Sequence, residues 1–196
     1  MTVIGLVGLP GSGKSEAAAV ASDLDVPVVT MGDVIRQACR DRGLDPATDH
    51  GEVAKALREE NGPAAIAEAS LPHIEDGLEG SESVVVDGIR SDVEVERFRD
   101  AFGEDFLLVS VEAPFETRAE RLDLRGRDAS ADDGGERLDD RDQRELGFGM
   151  GKAMEIADLT IENVDSLGAF QERVETLLVD GPTALDGDER VEGVNR

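Results

Sequence analysis

Tryptophan and tyrosine are absent from this chain, cysteine occurs once, and only three of its 20 basic residues are lysine. The single thiol, Cys39, excludes an intramolecular disulfide and a zinc site built on clustered cysteines. It falls in a predicted amphipathic helix and reads as a buried, inert thiol, not as a nucleophile. With aromatic residues at 3%, the core has to be assembled from Val, Leu, Ile and Ala. No apolar run approaches the roughly 20 residues that span a bilayer. Nor does a basic region precede the short apolar stretch at residues 2–7, as it would in a signal peptide. The chain is therefore expected to be cytoplasmic. Positive charge is scarce as well: 45 Asp and Glu stand against 20 Lys and Arg, a formal net charge of −25. A surface of that sign repels phosphate backbones and anionic lipid headgroups. Neither nucleic acid nor a membrane is expected as a partner.

What is present suffices for one globular domain: 196 residues, 39% of them hydrophobic. That domain is expected over residues 1–179, with 180–196 as a disordered acidic tail in which Gly, Pro and acids follow no period. Excess carboxylates with few lysines and few aromatics resemble the composition of proteins from salt-accumulating archaea, where concentrated salt screens the repulsion. An ordinary acidic cytosolic protein is the alternative.

Residues 8 to 15 read Gly8-Leu9-Pro10-Gly11-Ser12-Gly13-Lys14-Ser15 and satisfy GxxxxGK[ST], the Walker A pattern, at every fixed position. A short apolar run, Thr2-Val3-Ile4-Gly5-Leu6-Val7, precedes it, and an alanine-rich, helix-prone stretch follows. Strand, glycine loop and helix thus come in the order that phosphate binding requires. The glycines let backbone N–H groups turn inward around a phosphate chain, and the positive end of the new helix faces the same charges. Lys14 would reach the β and γ phosphates and the Ser15 hydroxyl would ligate Mg²⁺. A glycine-rich turn without a ligand is the competing reading, and the flanking strand and helix argue against it. ATP and Mg²⁺ are the expected cofactors.

Four further runs have the look of buried strands: 27–30, 84–86, 106–111 and 158–161. Helical patterns separate them, near 14–23, 33–42, 50–60, 63–76, 91–101, 115–124, 139–156 and 166–179. This predicts a three-layer α/β P-loop fold with a five-stranded, mostly parallel sheet. Two stretches exceed what crossovers need. Residues 31–80 hold several helices between strands two and three, and 121–145 form an arginine-rich, partly glycine-containing segment. The first is expected to be a helical acceptor-binding insertion and the second a lid; a plain helical layer and a surface loop are the alternatives.

Asp87 ends the run Val84-Val85-Val86 beside the phosphate loop, where a carboxylate can hold Mg²⁺ through its water shell. The next residue is Gly88, where many motor ATPases carry a water-activating Glu, so transfer to an acceptor is favoured over hydrolysis. Asp87-Gly88-Ile89-Arg90 resembles the Asp-Gly-aromatic-Pro-Arg segment of adenylate kinase-type nucleoside monophosphate kinases, without its proline. Thr30-Met31-Gly32-Asp33-Val34-Ile35-Arg36 looks like their Thr-Gly-Asp-x-x-Arg segment. Arg121 to Arg127 and Arg137-Leu138-Asp139-Asp140 are similar to the arginine motifs that open and close their lid. Ala157-Asp158-Leu159-Thr160-Ile161-Glu162-Asn163 resembles the Ala-Asp-x-x-Ile-x-Asn strand of dephospho-coenzyme A kinases. The whole looks like an archaeal group of P-loop proteins related to those kinases.

The resemblance implies that Arg36 and Arg90 hold the phosphate of an acceptor. For Asp33 it implies either a base for a sugar hydroxyl or a part of the magnesium shell; from the residues alone, Asp33 also fits a helix N-cap. Six of the 17 arginines (Arg121, Arg125, Arg127, Arg137, Arg141, Arg144) lie within residues 121–145. Such a density in an acidic chain reads as a phosphate clamp, with Arg121 and Arg125 foremost, because guanidinium groups give bidentate phosphate contacts. Surface pairing with the neighbouring aspartates is the bland reading, and the resemblance also allows Arg121 to stack on adenine. His50 and His73 read as surface or capping residues, and Met150 as a packing residue. The expected activity is Mg²⁺- and ATP-dependent transfer of a phosphoryl group to a small nucleotide-like acceptor. A nucleotide-binding regulator or slow ATPase acting on a protein partner is the alternative.

Overall fold

Valine-rich runs alternate with acid- and alanine-rich helical stretches, and each run becomes a strand. Strands β1 (Thr2–Val7), β2 (Val28–Thr30), β3 (Ser83–Asp87), β4 (Phe106–Glu112) and β5 (Leu159–Glu162) lie parallel in the order β2-β3-β1-β4-β5. A sixth, β6 (Val191–Gly193), pairs antiparallel with β5. The computed structural model describes residues 1–126, 137–185, 188 and 191–193, with the side chains of 123–126 outside that description.

The period-two pleat sends alternate residues of the sheet into two cores. Val3, Val7, Val84, Val86, Phe106 and Leu108 face one side. There they meet α2 (Met31–Asp41), α3 (Pro46–Asn61), α4 (Ala65–Gly80), α5 (Asp92–Phe102) and α8 (Met150–Glu155). Ile4, Leu6, Val85, Val109, Val111 and Ile161 face the other, against α1 (Lys14–Asp23) and α9 (Leu167–Asp180). Helices α6 (Phe115–Gly126) and α7 (Leu138–Phe148) stand at the C-terminal ends of the strands and flank residues 127–136. The result is the expected sheet between helical layers. Cys39 is fully buried in the first core, and among the described residues no helix is long and apolar enough to cross a membrane.

Three sequence expectations are corrected. The helix predicted over 139–156 is two, because Gly149 takes φ +106°, a left-handed conformation that ends α7 and opens α8 at a new angle. Asp33 is not an N-cap: β2 runs directly into α2, Thr30 occupies the cap position, and Asp33 lies in the first turn. The tail is not structureless throughout. Leu185 is buried and Val191 packs beside it against the second core, while Arg173 of α9 reaches Asp188 at 2.7 Å. The tail therefore has an apolar and an ionic anchor, and β6 covers the edge of β5. The remaining tail positions lie outside the described residues.

Candidate functional site

The chain leaves β1 between two parallel neighbours, β3 and β4, and α1 carries it past β3 to β2. Connections diverge at this point, and such a switch opens a crevice at the carboxyl ends of the strands. Gly8 to Gly13 fill it. Gly8 has φ +146°, and a Cβ there would lie 2.3 Å from the Val111 carbonyl oxygen; Gly13 has φ +121°, and a Cβ would lie 2.3 Å from Asn163 Nδ2. Side chains are thus excluded from both ends of the loop by its walls as well as by backbone conformation. The N–H groups of Lys14 and Ser15, the first of α1, have no acceptor within the helix, whereas Glu16 and Ala17 already donate to the Gly13 carbonyl.

Several distant residues hold this loop. Asn163, at the end of β5, donates through Nδ2 to the Ser12 carbonyl at 2.9 Å. Arg121 of α6 donates to the Asn163 side chain at 3.0 Å and to its carbonyl at 3.1 Å. Arg118, almost fully buried, donates to the Pro10 carbonyl at 3.0 Å. Met150 Sδ accepts from the Gly8 N–H at 3.4 Å, which the break at Gly149 makes possible. The Ser12 hydroxyl is buried without a hydrogen-bond partner among the described residues.

Lys14 donates to the loop's own Gly8 carbonyl at 2.6 Å and to Leu9 at 3.3 Å. Burial lowers the pKa of its ammonium, opposed by the nearby carboxylates of Asp87 and Glu145. Asp87 sits at the end of β3, level with Thr30 of β2. A loop of this shape, with an orphaned hydroxyl, a lysine, and Ser15 and Asp87 as oxygen donors, fits a triphosphate and a magnesium ion. Mg²⁺ commonly takes one or two protein oxygens and the rest from phosphate and water.

Beside the loop opens a cleft of about 940 Å³, lined by Arg36 and Arg40 of α2, Arg58 of α3, Arg90, and Arg141 and Arg144 of α7. Two buried carboxylates organise part of it. Glu145 accepts from Arg90 at 3.2 Å and lies 3.8 Å from Arg144. Glu94 accepts the Arg90 backbone N–H at 2.8 Å and lies 3.5 Å from Arg58. Burial pushes the pKa of Glu94 up, with the Arg90 N–H and Arg58 acting against it. Glu145 and Arg90 both act electrostatically on Lys14, so cleft and loop are adjoining parts of one region.

The structure thus brings the loop, Asp87, Arg90 and Arg121 together, with Arg36 on the far wall of the cleft. Asp33 is exposed and pairs with Arg36 at 2.7 Å. The side chain of Arg125 and the whole of Arg127 lie outside the described residues. Arg137 is exposed and pairs with Asp139. Sequence reasoning missed Arg40, Arg58, Glu94, Arg118 and Glu145. The Ser91-x-x-Glu94 spacing was a legible signal, since it fits the capping-box pattern; the serine caps α5 at the Glu94 N–H, while the Glu94 carboxylate accepts from Arg90, one residue before the cap. His50, half-buried, also lines the cleft.

The family model that matches is an AAA domain, over residues 4–146. A UPF0200 protein of Halobacterium salinarum is 61% identical over 178 residues, covering 91% of this chain and 93% of that one. Among solved structures, TT1252 from Thermus thermophilus is similar with a TM-score of 0.61 at 19% identity, over 91% of this chain and 97% of that one. A gluconokinase from Sinorhizobium meliloti is similar with a TM-score of 0.54 at 18% identity, over 94% and 95%. At these identities the two structures speak for the fold alone.

Proposed function

Because the chain belongs to the AAA-domain family and to the archaeal UPF0200 proteins, we propose on that premise that it is a phosphotransferase, moving the γ-phosphoryl group of Mg²⁺-ATP to a small nucleotide-like acceptor. One observation carries this reading: an arginine-lined cleft adjoins the phosphate loop at Lys14, Arg90 and Glu145, in a chain that is otherwise strongly acidic. A site that only bound or hydrolysed ATP has no use for a second anion-binding chamber.

In this reading Gly8 to Ser15 cradle the donor phosphates, and Lys14 leaves the loop carbonyls for the β and γ oxygens. Ser15 and Asp87 would hold the magnesium ion, which neutralises charge on those oxygens. Arg36 and Arg90 would bind the acceptor, and Arg121 and Arg125 would hold the transferring group. The acceptor oxygen attacks the γ phosphorus, the bond to the β–γ bridging oxygen breaks, and ADP leaves. Where that acceptor is a hydroxyl, Asp33 would take its proton. Such chemistry needs positioning and cations more than covalent help.

The test is ADP release in molar KCl with Mg²⁺-ATP against nucleoside monophosphates and dephospho-coenzyme A. Stimulation by one acceptor, with its phosphorylated product seen by mass spectrometry, is the expected result. ATP turnover indifferent to every small acceptor and raised by a macromolecule would overturn it in favour of a regulator.

A further inference from the structure

The arginine cleft does not end at its own wall. A second cavity of about 450 Å³ adjoins it, lined by Gly51, Lys55, Arg58, Glu59, Pro63 and Phe148, and the two share Gly51, Arg58 and Phe148. Phe148 is 48% exposed at this junction, at the end of α7 just before the Gly149 break. Few aromatic residues are available to this chain, and this one is spent on a cleft mouth instead of a core. The first cleft alone is near the upper end of the roughly 300–1,000 Å³ that enclose drug-sized ligands.

The charges of the two chambers differ. Six arginines line the cleft, against the carboxylates of Asp45 and Glu145 in the same wall. Guanidinium groups bind phosphate and pyrophosphate oxygens in bidentate pairs, so a wall of this composition suits a phosphate-bearing group. The second cavity holds one lysine and one glutamate besides the shared Arg58, with Pro63, the Phe148 ring and the Lys55 stem as apolar walls.

We infer that the acceptor is elongate: an anionic, phosphate-bearing head seated among the arginines, and a less polar arm that crosses Phe148 into the second cavity. Phe148 and Gly51 then determine specificity, since they form the passage through which the arm runs. This rests on the proposed kinase reading and narrows its acceptor to molecules longer than a nucleoside monophosphate.

The test is calorimetric binding in molar KCl, with the phosphate loop saturated by a non-hydrolysable ATP analogue and Mg²⁺. The probes are AMP, a head without an arm, and dephospho-coenzyme A, a phosphorylated head with one. Dephospho-coenzyme A is expected to bind at least about tenfold tighter than AMP. Phe148→Ala should remove most of that advantage while AMP affinity stays within about twofold. Gly51→Leu offers a second, independent block: it stands on α3 with nothing within 4 Å of a Cβ, so the new side chain obstructs the passage without a clash. Equal affinities for the two probes, binding of neither, or variants that weaken both alike would overturn the inference. Failure of the ATP analogue to bind would instead overturn the nucleotide reading of the loop.

Discussion

Arg118 grips Asp142 with two parallel hydrogen bonds, of 2.8 and 2.7 Å, while the same guanidinium donates to the Pro10 carbonyl. One buried fork thereby ties α6, α7 and the phosphate loop together, from either side of residues 127–136. Removing one member of such a pair leaves the other charge buried alone. Arg118→Ala should cost about 3–5 kcal/mol of stability. Asp142→Asn, which keeps an acceptor, should cost less. Denaturant unfolding in molar KCl measures both, and a loss under about 1 kcal/mol for Arg118→Ala would show the fork to be incidental.

Lys14 is a half-buried cation in the free protein, and its lowered pKa means that it opposes folding while charged. A base whose folded value lies below its unfolded value gains stability only as pH rises between the two. Lys14→Ala should therefore leave the melting temperature of the free protein unchanged or raise it by a few degrees, of order 2–4 °C per kcal/mol. It should at the same time abolish phosphoryl transfer and the stabilisation conferred by Mg²⁺-ATP. Undiminished turnover in this variant would remove Lys14 from the site.

Glu94 has the opposite character. Its carboxyl binds a proton more tightly folded than unfolded, because burial raises its pKa. Its contribution to stability is thus largest below the ordinary glutamate value, about 4.3, and falls as pH rises through the raised folded value. Glu94→Gln lacks that decline, so its stability relative to the parent should improve steadily as pH rises from about 4.3. Chemical unfolding across that range reads the difference, and a constant offset between the two proteins would contradict it.

The net charge of −25 makes self-repulsion a property of the whole fold. Screening lengths shrink from about 10 Å at 0.1 M salt to about 3 Å at 1 M. The melting temperature should fall as KCl is lowered from molar to millimolar concentration, in keeping with the composition shared with salt-accumulating archaea. An unchanged melting temperature would show that the acidic surface is merely solubilising.

The loop was readable in the linear chain because its chemistry is local. Gly8, Gly11 and Gly13 are needed by backbone conformation, Lys14 and Ser15 by their distance from them, and all lie within eight residues. The strands were equally legible, since burial on both faces demands continuous apolar runs such as Val84 to Val86. The break at Gly149 and the strand at Val191 were not. Each depends on what the local chain meets, Gly8 in one case and the edge of β5 in the other. The cleft was beyond sequence reasoning for the same cause. Arg36 and Arg90 stood in motifs and Arg141 and Arg144 in the arginine-rich segment, but Arg40 and Arg58 come from two other helices, and surface arginines at helical spacing look alike until folding sets them face to face. The residues proposed to bind one phosphate chain were therefore written contiguously, whereas the chamber beside them exists only because three helices and the connection between β3 and α5 converge, and electrostatics acts through space without regard to position in the chain.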